Sequence, residues 1–181
     1  MTDLANGRFA KAVRKIPDYP SQGILFYDLI PALADGEAFH EVLVALDEST
    51  PEAGLIAGVE ARGFLFAAAL AARRGCGVLA IRKAGKLPPP VVGESYVLEY
   101  GQARIEIPVE GIDLAGQDVL LLDDLLATGG TFAAAAVLLA GCGARVVAAA
   151  SVVELPALGG RARLAAEGLA VVALLSDDQL Q

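Results

Sequence analysis

The chemistry of this 181-residue chain concentrates in residues 119–131. There an apolar run, Val119-Leu120-Leu121-Leu122, meets Asp123-Asp124, and after Leu125-Leu126 the segment Ala127-Thr128-Gly129-Gly130-Thr131 opens a helical pattern. In open α/β sheets ligands bind at the carboxyl ends of strands, so both carboxylates stand where a ligand would lie. A helix N-terminus leaves four backbone N–H groups unpaired at the positive end of the helix dipole. Gly129 and Gly130 let that backbone approach an anion, and Thr128 and Thr131 add hydroxyl donors. Together these form a phosphate cradle. Carboxylates repel phosphate, which assigns Asp123 and Asp124 to another part of the ligand, such as sugar hydroxyls. A single Asp and a single Thr would read as a strand end and a helix cap; the whole run reads as a site. It is not a Walker loop, since Gly-x-x-x-x-Gly-Lys is absent, and Gly141-Cys142-Gly143 lacks the third glycine of a dinucleotide fingerprint. Nor is it a prenyl-diphosphate motif, because Ala127 stands where a further aspartate belongs.

The elements that must position this run alternate. Short apolar runs at 55–59, 77–81, 118–122, 145–153 and 170–175 predict strands buried on both faces. Helical patterns over 6–15, 36–47, 64–74, 131–139 and 159–167 lie before and between them. Residues 96–100 and 104–107 predict a hairpin broken at Gly101. This order implies right-handed crossovers and a mostly parallel sheet in one α/β domain spanning 1–181. Such a sheet also accounts for 55% hydrophobic residues and a mean hydropathy of +0.56. The longest uncharged apolar stretch, 132–144, contains two glycines and is shorter than the ~20 residues a membrane span needs. The chain carries 14 basic and 22 acidic residues, a net charge of −8, which argues against a general nucleic-acid binder. Two cysteines, Cys76 and Cys142, and one histidine, His40, cannot build the usual four-ligand zinc site. The N-terminal residues show no apolar signal core, and the expected compartment is the cytoplasm. Residues 84–93, with Pro88-Pro89-Pro90, follow Arg82 and Lys83 and include Lys86; this basic loop is a candidate lid.

Residues 119–131 resemble the phosphoribosyl-pyrophosphate (PRPP) motif of type I phosphoribosyltransferases. Three more blocks resemble the adenine-specific branch of that family: Tyr19-Pro20-Ser21-Gln22-Gly23-Ile24-Leu25-Phe26-Tyr27-Asp28, Glu60-Ala61-Arg62-Gly63-Phe64-Leu65-Phe66, and Arg82-Lys83-Ala84-Gly85-Lys86-Leu87-Pro88 with Ser95-Tyr96-Val97-Leu98-Glu99-Tyr100-Gly101. The resemblance spans about residues 16 to 175. It implies the type I phosphoribosyltransferase fold: a mostly parallel central sheet flanked by helices, a small hood and a flexible lid. It implies a reaction in which adenine and PRPP give AMP and pyrophosphate, with Mg²⁺ held mainly by PRPP, and a homodimeric enzyme of purine salvage. By the same resemblance, Ala127, Thr128, Gly129, Gly130 and Thr131 would hold the 5′-phosphate, and Asp123 and Asp124 the ribose hydroxyls. Arg62, Arg82, Lys83 and Lys86 would meet the pyrophosphate. Leu25, Phe26, Tyr27 and Leu155 would frame the base, and Glu99 and Tyr100, with Arg62, would act at the reacting centre. Residue type alone would read Phe26 and Leu155 as core and the basic loop as a solvated surface.

Three positions depart from the family pattern. Tyr27 stands where arginine is usual beside the base, Ala84 replaces proline or arginine, and residues 88–93 differ from the common loop text. The change at Tyr27 keeps open a transferase for xanthine, guanine or hypoxanthine. A PRPP-sensing regulator is the other alternative, disfavoured by the net charge of −8 and by a length that leaves no spare domain.

Overall fold

The fold comes from a computed structural model that describes residues 4–97 and 102–180. Strands β3 (Leu55–Val59), β4 (Gly77–Lys83), β7 (Asp118–Leu126), β8 (Arg145–Glu154) and β9 (Val171–Ser176) form the parallel part of a seven-stranded sheet. An antiparallel hairpin, β5 (Val91–Val97) and β6 (Gln102–Pro108), joins the β4 edge, giving the order β5-β6-β4-β3-β7-β8-β9. A separate ribbon pairs β1 (Arg14–Pro17) with β2 (Leu25–Asp28), with Ile16 opposite Phe26.

Side chains alternate across the pleat, so each central strand feeds two cores. Leu120 and Leu122 of β7 face one side, where they join Phe66 and Leu70 of α4 (Gly63–Arg74) and Val42 and Leu46 of α3 (Gly36–Ser49). Val119 and Leu121 face the other, against Ala135, Leu138 and Leu139 of α5 (Gly130–Gly141) and Leu164 of α6 (Gly160–Ala166). Alanines on α5 let that helix lie close to the sheet, and the apolar composition follows from these two layers. Asp35 caps α3, its carboxylate accepting from the N–H groups of Glu37 and Ala38 at 2.9 and 3.2 Å.

Four boundaries differ from expectation. The N-terminal helix α1 covers only Arg8–Ala12, because residues 14–17 pair with β2 instead of continuing the helix. A short helix α2 (Ile30–Ala34), with Pro31 in its first turn, had no signal in the pattern. Strand β5 starts at Val91, so 91–93 belong to the hairpin and the irregular basic loop shrinks to 84–90. Strand β7 continues through Asp123 and Asp124 to Leu126, and both carboxylates project from the strand itself. The remaining expected strands and helices are present within a few residues of the sequence reading.

The ribbon is held onto the body by long-range bonds. The Tyr27 hydroxyl donates to Asp177 at 3.0 Å, and Lys15 Nζ donates to the Leu180 carbonyl at 2.6 Å. The β1–β2 ribbon thereby forms a hood fixed to the C-terminal turn.

Candidate active site

Strands β3, β4 and β7 end on the same edge of the sheet, and Arg62, Arg82, Lys83, Asp123, Asp124 and residues 127–131 stand at or just beyond those ends. Gly129 adopts a left-handed φ of 76°, which turns the chain from β7 into α5, and a small cavity lies at this turn. That cavity, about 70 Å³, is walled by residues 127–131 together with Asp123. The turn is braced from behind by Gly160: a Cβ there would stand 2.2 Å from the Ala127 carbonyl oxygen and 3.0 Å from the Gly129 nitrogen. On its open side, the Thr131 hydroxyl donates to the Tyr96 hydroxyl at 3.2 Å, linking the hairpin to the cradle.

The two aspartates face different environments. Asp124 is buried, with its side chain 6% exposed, and its Oδ2 lies 2.7 Å from Arg62 Nε. The approach is off the N–H axis, so the contact is an ion pair and Oδ2 keeps an acceptor direction without a hydrogen-bond donor. Asp123 accepts from the Asp124 N–H at 2.8 Å. Burial and the neighbouring Asp124 carboxylate push the Asp123 pKa well above the usual carboxylate range, against the opposing pull of that N–H and of Arg62. An acceptor pair of this kind suits a vicinal diol, whose hydroxyls donate to both carboxylates.

Arg62 is the N-cap of α4, in the short turn after β3, and it reaches from Asp124 to the β1–β2 ribbon. Its Nη1 donates to the Tyr27 carbonyl at 2.9 Å, and its guanidinium carbon lies 5.2 Å from the centre of the Phe26 ring. Tyr19 packs edge-on against the same ring, with centroids 5.1 Å apart. Leu25 is exposed and Phe26 half-buried, while the Tyr27 side chain is turned into the body, its phenol on Asp177 and its pKa pushed up to about 12 by burial and that carboxylate. Leu155 follows β8, half-buried, its N–H bonded to the Leu126 carbonyl at 2.8 Å.

A larger cavity, about 510 Å³, lies between the hairpin and the ends of β3, β4 and β7, with Glu60, Lys83, Tyr96, Arg104, Asp123 and Thr131 on its walls. Lys83 and Lys86 are exposed at its mouth and in the following loop. Arg82 is more constrained: it donates to Glu60 at 3.2 Å and to the Lys86 carbonyl at 3.0 Å. Glu60 also accepts from the Lys83 N–H at 2.8 Å. Burial raises the Glu60 pKa, but that N–H and the Arg82 and Lys83 charges outweigh it and hold the carboxyl below its ordinary value. The loop is pinned once more at the Gly85 N–H, which donates to the buried Glu106 at 3.0 Å. Glu99 and Tyr100 lie outside the described residues.

Pattern reading of the sequence missed Glu60, Tyr96 and Glu106 as functional neighbours. Glu60 had a usable signal, a carboxylate at a strand's carboxyl end two residues before Arg62; Tyr96 and Glu106 depend on how the hairpin folds back.

A loop of small and hydroxylated residues at a helix N-terminus and an adjacent acid pair at the ends of a mostly parallel sheet suit a phosphoribosyltransferase, and the model of the phosphoribosyl transferase domain matches residues 41–166. The chain is 55% identical over 163 residues to the adenine phosphoribosyltransferase of Nocardia farcinica, covering 86% of this chain and 85% of that one. It is also similar to the crystal structure of the Thermoanaerobacter pseudethanolicus adenine phosphoribosyltransferase, with 42% identity, a TM-score of 0.86, and 91% and 95% of the two chains covered. The Saccharomyces cerevisiae enzyme, crystallised with an imino-altritol bisphosphate and adenine, matches at 35% identity and a TM-score of 0.87 over 97% of this chain and all of that one (100%). The chain belongs to the adenine phosphoribosyltransferases.

Proposed function

We infer that this protein transfers the phosphoribosyl group of PRPP to adenine, giving AMP and pyrophosphate in purine salvage. The observation that carries the reading is the placement of the uncharged 127–131 cradle and the Asp123–Asp124 pair in series at the end of one strand, with Asp123 on the cradle wall. The relatives named above supply the base.

In this reading the cradle fixes the 5′-phosphate, and Asp123 and Asp124 accept the ribose hydroxyls, filling the open acceptor direction on Asp124. Lys83, Lys86 and Arg62 meet the pyrophosphate, with Arg82 holding the loop through Glu60 and the Lys86 carbonyl as well as adding charge. The bond from the anomeric carbon to the pyrophosphate oxygen breaks with its electron pair leaving on pyrophosphate. Adenine N9 forms the new bond from the opposite face, and its proton passes to Glu99, a general-base contribution of about 10²–10⁴-fold. Phe26 and Leu155 sandwich the base, while Leu25 and Tyr27 present backbone groups; the family resemblance assigns Tyr100 a role in the reaction. Loop 84–90 and the hairpin exclude water.

The acid pair suits Mg²⁺, a hard cation that prefers oxygen donors. As the family resemblance implies, the ion would be held mainly by PRPP, with Asp123 and Asp124 beside it. When bound, it neutralises charge on the departing pyrophosphate. The enzyme acts as a homodimer in the cytoplasm, the assembly and compartment that the family resemblance implies; no described helix is long and apolar enough to cross a membrane.

The test is pyrophosphate release by purified protein with PRPP, Mg²⁺ and each of adenine, guanine, hypoxanthine, xanthine and uracil. Adenine should be the preferred base. Turnover of another base well above adenine overturns the reading.

A further inference from the structure

The cradle is built from backbone N–H groups and two hydroxyls, and residues 127–131 include no cation. The carboxylate on its wall is Asp123, which disfavours a dianionic phosphate. A positive group is available on helix α6. Its Gly160 packs directly on Ala127 and Gly129, and one turn later Arg163 extends over the start of α5. Arg163 Nη1 lies 3.4 Å from the point a Cβ on Gly130 would occupy; Thr128 Oγ1 and Tyr96 Cδ2 are each 3.7 Å from the same point. The guanidinium therefore shares the rim of the cradle with a hydroxyl donor and with the hairpin.

The two arginines of α6 are used differently. Arg161 is taken up by Glu154, with Nε 3.0 Å from both carboxylate oxygens, and by the Val171 carbonyl at 3.1 Å. Arg163 has one ion-pair partner among the described residues, Glu167 one turn away, through Nε at 3.5 Å. That contact is long and solvent-exposed, and it engages Nε while Nη1 stands at the cradle rim. Terminal guanidinium nitrogens are the groups that bind a phosphate side-on.

We propose that Arg163 is a further binding residue for the 5′-phosphate of PRPP and AMP, supplying the cation that the cradle itself lacks. The proposal rests on the assignment of residues 127–131 to that phosphate. Its contribution is specific to ligands carrying the phosphate, which separates it from a residue that merely stabilises α6.

The test compares AMP and adenosine binding by calorimetry on the purified full chain, in wild type, Arg163→Ala and Arg163→Lys. Arg163→Ala should weaken AMP about tenfold, as expected for one partly exposed charge-assisted contact, and leave adenosine within twofold. The KM for PRPP should rise by a similar factor, and Arg163→Lys should recover part of the loss. Unchanged AMP affinity in Arg163→Ala, or equal weakening of AMP and adenosine, overturns the proposal while the cradle assignment stands. Wild-type protein that binds adenosine as tightly as AMP removes the cradle assignment and the proposal with it.

Discussion

Arg62 and Asp124 sit 2.7 Å apart across the site, and the same guanidinium bonds the Tyr27 carbonyl and covers the Phe26 ring. One side chain thus connects the β1–β2 hood to the strand that carries Asp123 and Asp124. Replacing Arg62 by alanine removes a cation from the pyrophosphate side, leaves Asp124 a buried charge without its partner, and unties the hood. We expect kcat/KM for PRPP to fall on the order of 100-fold, with folding retained by circular dichroism. Lysine keeps the charge but not the planar fork, so Arg62→Lys should fall between the two. Near-wild-type kinetics for Arg62→Ala would show that neither role matters.

Asp123 holds its proton to higher pH than an ordinary carboxylate, because ionising it places a second negative charge beside Asp124 in a buried setting. Between the unfolded value of 3.8 and the raised folded value, the native state binds more protons than the unfolded one. Stability contributed at this site therefore declines as pH rises through that window. Asp123→Asn should raise the melting temperature at neutral pH and flatten that pH dependence. Activity should fall sharply in the same variant, as in Asp124→Asn, since each loses a ribose acceptor. Scanning calorimetry at several pH values checks the first part and steady-state kinetics the second.

Much of this arrangement was legible in the chain. The run from Val119 to Leu122 and the helix from Gly130 announce themselves because a doubly buried strand needs continuous apolar residues and a helix start needs small or hydroxylated ones. Strand β1 was not legible: Arg14-Lys15-Ile16-Pro17 has little apolar periodicity and is held by pairing with β2 and by the bond from Lys15 to Leu180. The same holds for the Tyr27 phenol, whose partner Asp177 is 150 residues away in sequence. Contacts set by chain return leave no local signal.

Glu60 is held in its ionised form by the Lys83 N–H and the Arg82 guanidinium, despite partial burial. Its folded pKa lies below the unfolded 4.5, so its stabilisation is present above that pH and lost as pH falls through the folded value. Glu60→Gln should abolish this acid-side loss in a chemical-denaturation series. It should also raise the KM for PRPP several-fold, because the backbone of Lys83 and the side chain of Arg82 lose their anchor. An unaltered KM would separate the Glu60 network from pyrophosphate binding.

The contact between Gly160 and the cradle gives the sharpest test of how the fold positions the phosphate. A methyl group on Gly160 would stand 2.2 Å from the Ala127 oxygen, a backbone atom that cannot rotate away, so the 127–131 turn or the start of α6 must shift. A displacement of about 1 Å at a binding element can cost on the order of 100-fold in kcat/KM, and Gly160→Ala should approach that figure mainly through the KM for PRPP. Gly141→Ala is the control: the position is helical, nothing lies within 4 Å of the added methyl, and helix propensity favours alanine by about 0.8–1 kcal/mol. That variant should melt at or above the wild-type temperature with unchanged kinetics. If Gly160→Ala instead keeps the wild-type KM for PRPP, the cradle's geometry does not depend on α6, and the packing that carries Arg163 to its rim loses its functional meaning.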